Sequence, residues 1–236
     1  MKENFYKKIE EIFSKNKINL TEIQKEKFYN YYLLLVEWNQ KFNLTAITEM
    51  EDVIVKHFLD SAIGYNLFNE NSKIVDIGAG AGFPSIPLKI MRPDLEFLLV
   101  DSVNKKLIFL DEVIKNLSLT KIATIHSRAE DLANKIDKRE SYNYCVARAV
   151  AQLNTLAEYC LPFVKIGGSM IAYKSNEIEE ELKQSKKAIE ILGGKIVEVR
   201  TFAVADFERK IVEIKKINST PKKYPRGGNK PRLMPL

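Results

Sequence analysis

Cysteine and histidine are nearly missing from this 236-residue chain, with two of each, and Cys145 and Cys160 lack the company and spacing of a metal site or a disulfide framework. Both cysteines are read as buried reduced thiols, and no metal is expected. No apolar run approaches the roughly 20 residues of a membrane span. The opening Met1-Lys2-Glu3-Asn4 is charged, unlike a secretory signal, so a cytoplasmic protein without membrane contact is expected. The Asn-x-Ser/Thr triplets at Asn43, Asn116 and Asn218 then carry no meaning as glycan sites. A Gly-x-Ser-x-Gly elbow is missing too, which removes the usual acyl-transfer nucleophile.

What is present is an ordinary globular composition, 45% hydrophobic and 29% charged, with a net charge of +6. The charge is unevenly spread. Lys215 to Leu236 holds seven Lys or Arg and no acid, which leaves the rest of the chain at about −1. With its prolines and glycines, this end has the composition of an arm that contacts a polyanion, or of a solvated tail.

The most informative stretch is Lys73 to Pro87, KIVDIGAGAGFPSIP. An apolar strand over 73–77 breaks into Gly78, Gly80 and Gly82, then into a helix start carrying Pro84 and Pro87. Glycines there allow backbone dihedrals closed to other residues and close approach of a ligand, and the helix start should favour an anion. No Lys-Ser/Thr pair follows, so this is not a P-loop. The third glycine comes one residue too early for the dinucleotide fingerprint, and Phe83 stands where that motif needs nothing large. A second strand, 95–101, ends in Asp101, placed to accept from ribose hydroxyls. The combination resembles the S-adenosylmethionine site of a Rossmann-like methyltransferase.

Before this stretch the periodicity predicts helices over 3–15, from Thr21, capped with Gln24, to about Trp38, and over roughly 50–63. The rings Phe28, Tyr29, Tyr31, Tyr32 and Trp38 are read as core rather than as base-stacking groups. After it come a helix from Val103 to Asn116, a strand from Ile122 to Ile125, a strand from Tyr142 to Val150 and a helix over 152–163. A strand from Gly167 to Tyr173, a helix over 176–192 and two final strands, Lys195–Val204 and Arg209–Ile217, complete the pattern. The short last connection forces an antiparallel hairpin, whereas the helix-separated strands should be parallel. The expected architecture is an α/β Rossmann-like class I methyltransferase fold with a mostly parallel seven-stranded sheet. Residues 1–70 form an N-terminal helical region, 71–217 the methyltransferase domain and 218–236 a basic tail.

In such a sheet ligands sit beyond the carboxyl ends of the strands, where Gly78 to Phe83, Asp101-Ser102, Ala129-Glu130 and Arg148 converge. Gly78 and Gly80 would present backbone to a methionine moiety, Asp101 would hold the ribose, and Ala129-Glu130 would read an adenine edge. Arg148, directly after an apolar strand, needs an anion: the methionine carboxylate, a substrate phosphate or Glu130. His57 and His126 are the only histidines available as general bases. His57 and Asp60, three residues apart, share a helical face where they either bond each other or face the cofactor.

VDIGAGAGFPSIPLKIMRPD, preceded by WNQKFNLTAIT and HFLDS and followed by LVDSVNKKLIFL, SRAEDL and ARAVAQL, resembles the bacterial GidB family of small-subunit ribosomal RNA methyltransferases. The resemblance implies methyl transfer from S-adenosylmethionine to N7 of one guanine in 16S rRNA of the 30S subunit. It implies cofactor contacts at Gly78, Phe83, Asp101, Ser102, Val103, Ala129, Glu130 and Arg148, to which the loop adds Gly80. Asn39, Lys41, His57, Asp60 and Lys174 match as RNA-side residues, with Lys222, Lys223 and Arg226 of the tail beside them. Ser85 stands where the family usually has glycine, and the tail YPRGGNKPRLMPL departs from the usual ending. Guanine N7 carries a lone pair and no proton, so no catalytic base is assigned. The alternatives are another methyl acceptor on the same fold, or a non-catalytic RNA-binding protein. A monomer is the default.

Overall fold

The computed structural model describes residues 1–148, 151–175, 177–205 and 207–236. Its seven strands are β1 (Lys73–Ile77), β2 (Glu96–Asp101), β3 (Ile122–His126), β4 (Tyr142–Arg148), β5 (Val164–Lys174), β6 (Gly194–Val204) and β7 (Phe207–Lys216). They form one sheet in the order β3-β2-β1-β4-β5-β7-β6. The first five run parallel, and β7 is antiparallel to both β5 and β6. The order reverses between β1 and β4, the crevice where a doubly wound sheet places its ligand. The expected end of the fourth strand at Ala149-Val150, the helix start at Asn176 and part of the last turn, Asp206, lie outside the described residues.

Side chains alternate across β1, so its two faces supply two cores. Ile74 joins a cluster with the N-terminal helices α1 (Lys2–Lys15) and α2 (Glu22–Phe42), whereas Val75 and Ile77 join the opposite cluster. Phe5, Ile9 and Phe13 of α1 and Phe28, Tyr31 and Leu35 of α2 are buried, and Phe28 packs on Phe13 and Phe58. The rings on these helices therefore belong to the core. Thr21 and Gln24 form the expected capping box.

The segment expected as one helix over 50–63 is α3 (Met50–Val53), then a π-helical turn over Ile54–Leu59, then α4 (Asp60–Ala62). Next come α5 (Ser85–Met91), α6 (Asn104–Asn116), α7 (Ala129–Leu132), α8 (Leu153–Cys160) and α9 (Glu179–Ile191). The final element, α10 (Lys230–Leu233), is a single turn in the C-terminal segment.

That segment does not stand off as a solvated arm. Lys216, counted with its charges, is buried, donates to Leu161 O and Thr220 Oγ1 and pairs with Glu140 at 3.1 Å. Burial pulls its ammonium down to about 8. Arg139 donates to the carbonyls of Thr220 and Tyr224, each at 2.9 Å, and Tyr224 and Pro231 are buried. The chain end is a strap that runs from the amino ends of β4 and β5, along α8, to the glycine loop at the carboxyl edge of the sheet.

Candidate active site

The loop between β1 and α5 turns back at once onto β2. Gly78 and Ala79 amides both donate to Val100 O, and the Gly82 and Phe83 amides donate to Ala79 O. The Gly80 amide donates to Asp101 Oδ2 at 2.9 Å, while Asp101 Oδ1 accepts from Val103 N at 2.9 Å. Asp101, 6% exposed, thus braces the glycine loop and the entry to α6, with Lys106 3.6 Å away. The Ile86 amide at the helix start bonds Gly82 O. An anion at the helix start, expected from the sequence, finds these donors already used within the loop.

The glycines divide by role. At Gly82, φ is +98° and a Cβ would meet Ile86 Cγ1 at 2.6 Å and Tyr31 Oη at 2.8 Å, so this glycine lets α2 pack on the loop. At Gly80, φ is +59° and the nearest atom to a Cβ is Gly78 O at 3.8 Å, so its open side faces the cleft.

Two hollows meet there and share Gly78, Asp101, Ser102 and Arg232. One, about 310 Å³, runs over Ile77, Val100, Arg128, Ala129, Glu130 and Tyr159. Glu130 is buried on the first turn of α7, 3.4 Å from Arg128 Nη1. The other, about 550 Å³, is lined by the glycine loop, Phe83, Thr45, His57, Val103 and Arg148. The expected positions Gly78, Gly80, Phe83, Asp101, Ser102, Val103, Ala129, Glu130 and Arg148 therefore come together around one continuous cleft. An apolar floor flanked by carboxylates suits a nucleoside at one end, and the open face of Gly80 suits a close-fitting moiety at the other.

The protein carboxylate beside Arg148 is Asp60 rather than Glu130. Arg148 Nη1 lies 2.7 Å from Asp60 Oδ2 and donates to Lys56 O at 3.2 Å, and Arg209 bonds the same carboxylate from the other side. Asp60 has no exposed surface, so in place of the expected RNA contact it holds two guanidiniums. Phe83 stacks on His57 with centroids 4.4 Å apart, and the Arg148 guanidinium lies 4.9 Å from the Phe83 ring. His57 meets Arg148 rather than Asp60, and its Nε2 sits 2.8 Å from Thr45 Oγ1. Burial and the Arg148 charge pull the imidazole down to about 4, so it is neutral and weakly basic near pH 7. His126, exposed, places Nε2 3.0 Å from Ser102 O.

Asp76, on the β1 face toward α2, is buried with neither carboxylate oxygen hydrogen-bonded; Ser85 Oγ is also unpaired. Burial pushes Asp76 up to about 7, with Ser85 and the Arg148 charge pulling the other way.

The remaining RNA-side expectations are scattered. Asn39 Oδ1 accepts from Thr45 N at 2.8 Å, shaping the loop that carries Thr45 to His57. Lys41 is exposed, paired with Glu37 and 5.4 Å from the Trp38 ring. Lys174 donates to Ala151 O and Glu181 Oε1 in a hollow on the far side of Arg148. Lys222 and Lys223 are exposed. Arg226 is turned inward, against the expected RNA contact: it grips buried Glu158 through Nε at 2.9 Å and Nη2 at 2.7 Å. The reason is local, since a carboxylate buried on α8 requires a cation and the strap supplies it.

Thr45, Arg128, Asn229 and Arg232 line the cleft although the sequence reading did not single them out. SRAEDL and the acid-free tail contained three of them, but nothing in the spacing showed which side chains turn inward.

Among solved structures, the fold is similar to M. jannaschii TYW2 in complex with AdoMet, at a TM-score of 0.53 and 16% identity over 67% of this chain and 75% of that one. It is also similar to ribosomal protein L11 methylase from Lactobacillus delbrueckii subsp. bulgaricus, TM-score 0.53 and 14% identity over 69% and 79%. These likenesses concern fold alone. Ribosomal RNA small subunit methyltransferase G of Lachnoclostridium phytofermentans is 52% identical, covering 93% of this chain and 92% of the relative. The protein of that name from Brevibacillus brevis is 49% identical over 96% and 97%. The family model described as rRNA small subunit methyltransferase G matches residues 24–212, and the chain belongs to this family, GidB.

Proposed function

We propose that this chain transfers the methyl group of S-adenosylmethionine to N7 of a guanine in 16S rRNA of the small ribosomal subunit. The observation that carries the reading is the two-part cleft beside the open face of Gly80, in a chain of this family. When bound, the cofactor supplies a methyl group on a positively charged sulfur. Ala129 and Glu130 would read its adenine and Asp101, Ser102 and Val103 its ribose side. Gly78, Gly80 and Phe83 would cradle the remainder, with Arg148 fixed behind them by Asp60.

The rest is alignment and exclusion of water, because guanine N7 has no proton to remove. A neutral His57 packed on Phe83 suits a positioning task rather than proton abstraction. Exposed Lys41, Lys222 and Lys223 supply positive charge for RNA phosphates. The protein acts as a monomer in the cytoplasm on this reading; among the described residues no helix is long and apolar enough to cross a membrane.

The test is to incubate the protein with methyl-labelled S-adenosylmethionine and small subunits from cells lacking it. Label in RNA supports the reading. Label in ribosomal protein, or none with cofactor binding demonstrated, rejects it.

A further inference from the structure

Of the cations around the cleft, one makes no ion pair among the described residues. The lining carries two carboxylates, Asp101 and Glu130, and four permanent cations, Lys106, Arg128, Arg148 and Arg232. Lys106 sits 3.6 Å from Asp101, Arg128 3.4 Å from Glu130, and Arg148 2.7 Å from Asp60. Among the described residues Arg232 has no carboxylate partner and no side-chain hydrogen bond, and it is the cation that borders both hollows. Two independent features direct an anion toward it. The amides of Gly78, Ala79, Gly80, Gly82 and Phe83 are all engaged within the loop or with β2, so the glycine turn offers an incoming carboxylate few donors. The strap also holds Arg232 in place: Thr155 Oγ1 donates to Pro231 O at 3.0 Å, Arg128 to Asn229 Oδ1 at 3.3 Å, and Arg226 grips Glu158.

We propose that Arg232 is a further cofactor-binding residue, whose guanidinium pairs with the carboxylate of the cofactor's methionine moiety. This rests on the assignment of the cleft to S-adenosylmethionine. The C-terminal strap is then a wall of the cofactor site, held closed by the Arg226–Glu158 pair. A charge-assisted, fork-shaped contact of this kind suits arginine better than lysine.

The experiment measures binding of S-adenosylmethionine, S-adenosylhomocysteine and 5′-methylthioadenosine, which lacks the amino-acid carboxylate, to the wild-type chain, Arg232→Ala and Arg232→Lys. Arg232→Ala should weaken the two carboxylate ligands about tenfold, leave methylthioadenosine within about twofold, and be partly rescued by Arg232→Lys. Unchanged affinity for all three, equal loss for all three, or a loss confined to RNA binding overturns the pairing and leaves the cofactor assignment standing. A folded wild-type chain that binds none of the three overturns both.

Discussion

The glycine loop after β1 and the C-terminal strap border the same cleft, and they are held in opposite ways. The loop is shaped by neighbours in sequence and by the adjacent strand: Val100 and Asp101 take its amides, and positive-φ glycines make the turn. The strap has no sheet pairing and rests on side chains far away in the chain, Glu158 68 residues from Arg226 and Arg139 85 residues from Tyr224. A wall of the first kind should fail by misfolding, one of the second kind by opening.

The largest effect expected is at Gly82. Gly82→Ala puts a side chain at φ +98° and within 2.6 Å of Ile86, and should cost about 3 kcal/mol or more in chemical denaturation. Asp76 lies on the strand feeding the same loop. A carboxyl held near 7 when folded, against an ordinary value of 3.8, binds its proton more tightly in the native state. Its contribution to stability is therefore present at low pH and declines as pH rises from about 4 to about 7, by up to ~1.4 kcal/mol per pH unit. Asp76→Asn should flatten that decline in denaturation curves taken across the window.

The strap responds differently. Glu158→Gln should cost about 1–2 kcal/mol globally while trypsin cleaves after Arg226 and Arg232 far faster than in wild type. Equal protection of the strap in the variant would show that Arg226–Glu158 does not hold it. The smallest stability change is at Gly80, where Gly80→Ala meets only Gly78 O at 3.8 Å and should cost about 1 kcal/mol, for its backbone alone. Cofactor affinity, measured by calorimetry, should nonetheless fall in Gly80→Ala, which separates a ligand-facing glycine from the packing glycine two residues on.

The same contrast explains what could be read in advance. Strand alternation and the short final turn were enough for a parallel sheet ending in a hairpin, because these signals are local. The convergence of Gly80, Asp101, Glu130 and Arg148 followed from their places at the carboxyl ends of parallel strands. The partner of Arg148 was not legible, since Asp60 is 88 residues away and Arg209 reaches it from 149 residues away. The π-helical turn over Ile54–Leu59, which carries the His57 stacked on Phe83, left no pattern distinct from an ordinary helix. In the tail, lysines, prolines and glycines read the same whether solvated or packed; only buried Glu158 and Thr155 decide that Arg226 and Pro231 turn inward.

The most direct measurement maps the methyl group. Small subunits lacking the modification, treated with the protein and S-adenosylmethionine, should carry one new methyl on a guanine whose strand breaks under the reduction and aniline treatment that cleaves at N7-methylguanosine. A methyl group on another atom or base, or its failure to appear in the RNA while the cofactor binds, would contradict the account.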